Sequence, residues 1–214
     1  MDYTVLMWVP ISLYTVASWP QILTNYRRGD AVGLSAWMLF LRIFAVSTYT
    51  VYVYLLNLPL AHKVLYPACL SGIIVLALQG YFYDKIWHEQ RWLRFCYLKL
   101  VSTLVALLIF SQWYPLQAGM LGGWLAVITG VMSDMPQIYR NWKRKSTVGF
   151  NILFSSAIGW GGICDLSLSL YYGLPMPTIL ATLRVTTCYL IYLAQFFIYR
   201  NRSSATASGN SGAK

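Results

Sequence analysis

Apolar residues dominate seven stretches of the chain, roughly 4–26, 34–56, 64–83, 92–113, 117–140, 150–172 and 177–199. Each is close to the about 20 residues that a helix needs to cross a bilayer, and short loops separate them. The pattern predicts an all-α membrane protein with seven transmembrane helices. Polar side chains inside two of the stretches do not scatter. Tyr14, Ser18, Gln21 and Asn25 recur at three- or four-residue spacing, as do Gly130, Asp134, Gln137 and Asn141. Helices 1 and 5 therefore each carry a polar stripe on one face, directed toward a common interior.

Composition points the same way. Of 214 residues, 58% are hydrophobic and only 10% charged, against about 25% charged in soluble domains. With 16% aromatics and long apolar runs, disorder is excluded as well, except in the polar tail after Arg202. The opening segment lacks a basic n-region and a small-residue cleavage site, so it reads as a retained helix rather than a signal peptide. The net charge of +10 is a topology signal rather than a nucleic-acid footprint. Arg27, Arg28, Lys85, Arg91, Arg94, Arg140, Lys143, Arg144, Lys145, Arg200, Arg202 and Lys214 share one side of a seven-helix topology, and the opposite loops offer only Lys63. The positive-inside rule places that side in the cytoplasm and the N-terminus outside or in a lumen. The lipid bilayer is the expected macromolecular partner. Cys69, Cys96, Cys164 and Cys188 fall inside helices and form no CxxC pair, which reads as packing rather than metal binding. His62 and His88 read as loop residues. No nucleophile, metal or cofactor cluster stands out, so the chain is not expected to be an enzyme.

Self-similarity organises the chain. A shift of 116 residues aligns 16–84 with 132–200 without a gap. Pro20-Gln21-Ile22 falls on Pro136-Gln137-Ile138, Asn25 on Asn141, Val32-Gly33 on Val148-Gly149, Leu58-Pro59 on Leu174-Pro175 and Gln79 on Gln195. The expected layout is a first three-helix repeat (4–83), a linker with helix 4 (84–116), a second three-helix repeat (117–200) and a disordered tail (201–214). An odd repeat fused directly would be inverted. One extra crossing restores the orientation and makes the repeats parallel.

The doubled Pro-Gln dipeptide, the 3+1+3 layout and the string Lys145-Ser146-Thr147-Val148-Gly149 resemble the PQ-loop family, over nearly all of residues 4–200. That family includes cystinosin, lysosomal and vacuolar cationic amino-acid exporters and, more distantly, SWEET sugar transporters and the KDEL receptor. The resemblance implies a secondary transporter in a plasma (inner) membrane or a lysosome/vacuole-type membrane. Asn141 matches the cystinosin pattern, but Ile158 and Ser133 stand where that pattern has an aspartate and a lysine. A cationic or neutral amino acid is therefore expected in place of cystine. A SWEET-type sugar facilitator and a KDEL-receptor-like peptide receptor that transports nothing are the alternatives.

Physical chemistry adds roles to the residues. Proline removes a helical hydrogen bond, so Pro20 and Pro136 free the carbonyls of Val16 and Met132. Gln21 and Gln137 are long enough to reach those carbonyls or a neighbouring helix, and the four residues are candidate hinge elements of a cytoplasmic gate. Ionisable groups inside a bilayer are costly and mark function. Arg42, Asp134, Asp165 and Arg184 sit well inside their spans, sum to zero, and have Ile158, Ser18, Tyr49 and Ala68 at the repeat-equivalent positions. The scaffold repeats and these charges do not. An amino-acid carboxylate would meet Arg184 or Arg42, its ammonium Asp134 or Asp165, and either aspartate could instead carry a coupled proton. Gly130 and Asn141 complete the candidate site, Gly130 by leaving space for a solute. Binding is expected near the midplane, chiefly between helices 1, 3, 5 and 7.

Overall fold

A computed structural model describes residues 6–31, 34–83, 91–147 and 150–209, with side chains throughout except in 91–97 and 200–209. Lys85, His88, Lys214 and the Val32-Gly33 and Val148-Gly149 pairs lie outside the described residues, as do the side chains of Arg91, Arg94, Cys96, Arg200 and Arg202. The described residues form seven α-helices: α1 Trp8–Arg28, α2 Ala36–Leu55, α3 Leu60–Tyr83, α4 Arg91–Ser111, α5 Pro115–Arg144, α6 Ile152–Tyr171 and α7 Met176–Gly209. The shortest, at 20 residues, is about 30 Å long, the thickness of a hydrocarbon core.

Local sequence explains the helix ends, and the ends obey the repeat. Ser35 and Asn151, 116 residues apart, are the N-caps of α2 and α6. Each accepts a backbone N–H with its side chain, from Met38 and from Leu153, which satisfies a donor the first turn cannot. The C-caps of α1 and α5 are left-handed, Gly29 at φ 65° and Lys145 at φ 48°. Beyond α2 and α6, Asn57 and Gly173 adopt the same left-handed turn, and Leu58 N–H and Leu174 N–H return to the carbonyls of Val53 and Ser169. From Asn201 to Ser208 there is neither glycine nor proline, and α7 runs on to Gly209.

Packing arranges six helices as a closed ring in the order α1, α3, α2, α5, α7, α6, with α4 outside against α5 and α2. The third helix of each repeat lies between the other two. The repeats meet crosswise, α1 on α6 and α2 on α5. An apolar core across that junction gathers Met38 and Leu39, Ile73 and Leu76, Phe150 and Phe154, and Tyr192. The outward face is equally apolar, with Trp19, Phe82, Trp113 and Phe197 each at least 60% exposed. Such a surface is covered by lipid in a multi-pass membrane protein. Five helices (α2, α3, α5, α6, α7) are apolar enough to qualify as spans by composition alone. The polar stripe of α1 lowers its hydropathy, and in α4 only Leu98–Ser111 is strongly apolar. α1 takes its place through the ring.

Candidate functional site

Two matching amide relays stand at the end of the bundle where α1 and α5 finish. In the first, Gln21 Nε2 donates to Asn25 Oδ1 (2.7 Å), Asn25 Nδ2 to Gln79 Oε1 (3.2 Å), and Gln79 Nε2 to the Ile22 carbonyl (3.0 Å). In the second, Gln137 donates to Asn141 (2.9 Å), Asn141 to Gln195 (3.1 Å), and Gln195 to the Ile138 carbonyl (3.0 Å). Each relay ties the first helix of a repeat to the third. The glutamine oxygens then cross between repeats. Asn151 N–H donates to Gln21 Oε1 at 2.8 Å, and Ser35 N–H donates to Gln137 Oε1 at 2.9 Å. Each glutamine thereby holds the N-cap of the second helix in the opposite repeat. Of the two routes open to these side chains, the structure shows the one across to another helix.

Three charges meet further along α5. Arg42 Nη2 of α2 donates to Asp134 Oδ1 at 2.5 Å, and Arg184 Nη1 of α7 to Asp134 Oδ2 at 2.6 Å. Tyr192 Oη also donates to Oδ1, at 3.3 Å. Arg42 and Arg184 are thus both committed to one aspartate, which has its two oxygens engaged. The cluster carries two positive charges against one negative. It keeps unused donors, because Arg42 Nη1 and Arg184 Nε are buried with no partner among the described residues. Gly130 admits the guanidinium: a Cβ there would stand 3.0 Å from Arg184 Nε and Cζ, and its carbonyl accepts from Arg184 Nη1. The space beside Gly130 holds an arginine.

A cavity of about 110 Å³ occupies the ring interior, lined by residues of all six ring helices. Tyr14 and Ser18 of α1, Tyr49 of α2, Tyr66 of α3, Ser133 of α5 and Thr182 of α7 supply its polar groups beside Arg42 and Arg184. A second cavity of about 20 Å³ lies beyond the guanidiniums and is lined by Asp134, Tyr192, Ser155 and Cys188 as well. Both arginines line both cavities. The ion triad stands at their boundary together with Phe154, Ile158 and Val185, which also line both, and it joins a helix of the first repeat to two of the second.

The family model for the PQ loop repeat matches the chain twice, over residues 3–62 and 119–178, more than half of its length. The chain belongs to the PQ-loop family. The two matches begin 116 residues apart, the offset that superimposes the two amide relays, and each includes one PQ glutamine. A comparison with curated proteins finds no match.

Within this PQ-loop ring, the candidate residues fall into three groups. Pro20, Gln21, Pro136, Gln137 and Asn141 belong to the relay end, and both helices stay helical through the prolines. Arg42, Asp134, Arg184 and Gly130 form the triad. Asp165 stands apart on α6, outside both cavity linings, with His62 Nε2 3.3 Å from its Oδ1. His62 lies inside α3 and is buried, which corrects its reading as a loop residue. The helix begins right after Pro59, a position where proline commonly opens a helix, and that signal could have placed His62 in the first turn. Sequence reasoning also missed Ser35, Asn151 and Tyr192, whose roles depend on contacts between helices remote in the chain. Helices 1, 3, 5 and 7 supply most of the main cavity's lining, and α2 contributes Arg42, Ala45, Val46 and Tyr49, as many residues as α7.

Proposed function

We propose that this PQ-loop protein is a secondary transporter for a small carboxylate-bearing solute, an amino acid of neutral or cationic type, working by alternating access and coupled to protons. The observation that carries this reading is the Arg42–Asp134–Arg184 triad at the boundary of two interior cavities, with one positive charge in excess. A solute carboxylate neutralises that excess and takes the unused donors Arg42 Nη1 and Arg184 Nε. The ammonium of an amino acid turns toward the faces and hydroxyls of Tyr14, Tyr49 and Tyr66, where aromatic rings accept a cation. Asp134 acts by positioning the two guanidiniums. A neutral sugar has no use for the excess charge.

Alternating access needs a bond network that one repeat breaks with the other, and two are in place. The relay glutamines cross the repeat junction at the PQ end, and the triad crosses it at the chamber. In a low-dielectric interior a carboxylate that draws Arg42 or Arg184 toward itself competes directly with Asp134. Solute binding then loosens the triad it sits on. Pro20 and Pro136 lie on the helices whose glutamines hold the outer latch and supply the bend as it opens.

The test is uptake of radiolabelled alanine and lysine into phosphatidylcholine proteoliposomes, with and without an inward proton gradient. Saturable uptake of at least one, raised by the gradient, is expected. Alaninamide and lysinamide, which lack the carboxylate, should not compete. Arg184→Gln should weaken the apparent affinity about tenfold or more, as loss of a charged hydrogen bond predicts. Glucose flux alone, or binding of a peptide C-terminus without any flux, would overturn the proposal.

A further inference from the structure

His62 and Asp165 are titratable side chains of the interior that the chamber does not use. They come from different repeats, α3 and α6, and are 2% and 1% exposed. His62 Nε2 lies 3.3 Å from Asp165 Oδ1, within hydrogen-bond distance. The other end of each side chain is free: His62 Nδ1 and Asp165 Oδ2 are buried without a partner among the described residues, as is Ser169 Oγ one turn along α6. Leu65 and Leu168, each three residues on from one member of the pair, belong to or pack on an apolar cluster with Met7, Ile11 and Ala61. Apolar side chains thus flank the pair, and both members are almost fully shielded from solvent.

The titratable groups that face the pair come from every ring helix packed on α3 and α6. Tyr66 of α3 stacks on the His62 ring at 6.1 Å. Tyr14 of α1, Tyr66 and Cys69 pack on the same apolar cluster as the pair's neighbours, and Tyr49 of α2 packs on Tyr66 with ring centroids 4.2 Å apart. On α7 the charged group on that side is Arg184, which also acts on Tyr14, but its guanidinium is committed to Asp134. No cation other than a protonated His62 stands within ion-pair distance of Asp165 among the described residues. Tyr14, Tyr66 and Cys69 line the chamber, so they separate the pair from the solute and at the same time connect the two.

We infer that His62 and Asp165 form the proton site of this transporter, remote from the solute site and resting on the transport reading above. With neutral imidazole the pair is a lone negative charge in an apolar shell, which is unfavourable when sealed. A proton on Nδ1 converts it to an imidazolium–carboxylate pair with no net charge. Imidazole is the side chain that takes up and gives back a proton near neutral pH. When one face of the ring opens, water reaches the pair and proton exchange follows. When the ring closes, the sealed state holds the proton. Each passage of the chamber across the membrane then carries one proton in the pair. Asp134 cannot do this service, since both of its oxygens are engaged by guanidiniums.

The proton site is tested separately from transport. The full chain, labelled with nitrogen-15 histidine and held in phosphatidylcholine nanodiscs, is followed by imidazole NMR from pH 5 to 8. The signals lost in His62→Gln report His62. They should move from the neutral to the imidazolium pattern as pH falls. In Asp165→Asn, where the stabilising anion is gone, the change should shift toward lower pH. An imidazole that stays in one state across the range, or one indifferent to Asp165→Asn, overturns the assignment whether or not alanine or lysine is transported. In proteoliposomes that do transport, His62→Gln and Asp165→Asn should lower gradient-driven uptake at least tenfold more than they lower exchange between two loaded sides. Equal losses in both would overturn the coupling role. An absence of any wild-type flux would instead count against the transport reading and leave the NMR result to decide the pair.

Discussion

Asp134 is surrounded by more positive charge than it can neutralise, and that imbalance decides what single substitutions should do. In Asp134→Asn two largely buried guanidiniums lose the one anion they share among the described residues, and breaking a buried pair costs up to about 3–5 kcal/mol. In Arg184→Gln or Arg42→Gln the remaining arginine and Asp134 still balance. The asparagine variant should therefore unfold earlier than either glutamine variant when melted in detergent, and the glutamine variants should lose solute affinity while remaining extractable. Equal melting of all three would remove the argument for a shared anion. A second residue-scale test lies at the surface. Lys145 holds a left-handed backbone at φ 48° where the equivalent cap in the first repeat is Gly29. A non-glycine residue in that region is strained. Lys145→Gly should stabilise the chain by about 0.5–1 kcal/mol, offset in part by the loss of its cation–π contact with Trp142 at 4.4 Å.

Among the elements, α1 and α5 carry the heaviest polar load, and each has a single glutamine that serves its own repeat and the other one. Gln21→Leu and Gln137→Leu each strand a buried amide and a backbone N–H. A loss of about 1–3 kcal/mol is expected for either, and near-equal losses follow from the closely similar geometry of the two relays. Denaturant midpoints of the two variants measure this directly. Pro136→Ala should restore a helical hydrogen bond and stiffen α5, lowering turnover more than binding. Pro20→Ala should act in the same direction but more weakly, since Pro10 remains in α1. Flux and binding isotherms on the same preparation separate the two effects. Much of this level was legible in the chain. Helical spacing put Gln21 and Asn25 on one face of α1 and Gln137 and Asn141 on one face of α5, and the 116-residue shift aligned Gln21 with Gln137, Asn25 with Asn141 and Gln79 with Gln195. Spacing within a helix cannot say which remote helix a side chain meets. The crosswise partners Ser35 and Asn151, the pairing of Asp134 with both arginines, and the encounter of His62 with Asp165 all arise from ring order, which no local pattern encodes.

On the scale of the whole molecule, the crosswise junction has a consequence for how the protein is made. Gln21 finds its backbone partner 130 residues later, and Ser35 waits 102 residues for Gln137. At synthesis rates of about 5–20 residues per second, Ser35 and Gln21 wait roughly 5–26 s before their partners are made. During that interval the Gln21 amide oxygen and the Ser35 N–H of the half-made chain lack their native partners in a setting where an unsatisfied polar group is costly. Residues 1–116 produced alone should be cleared rapidly by cellular proteases, and co-production of 117–214 as a separate chain should lengthen their lifetime in a pulse–chase experiment. The crosswise junction makes each half a dependent of the other at birth.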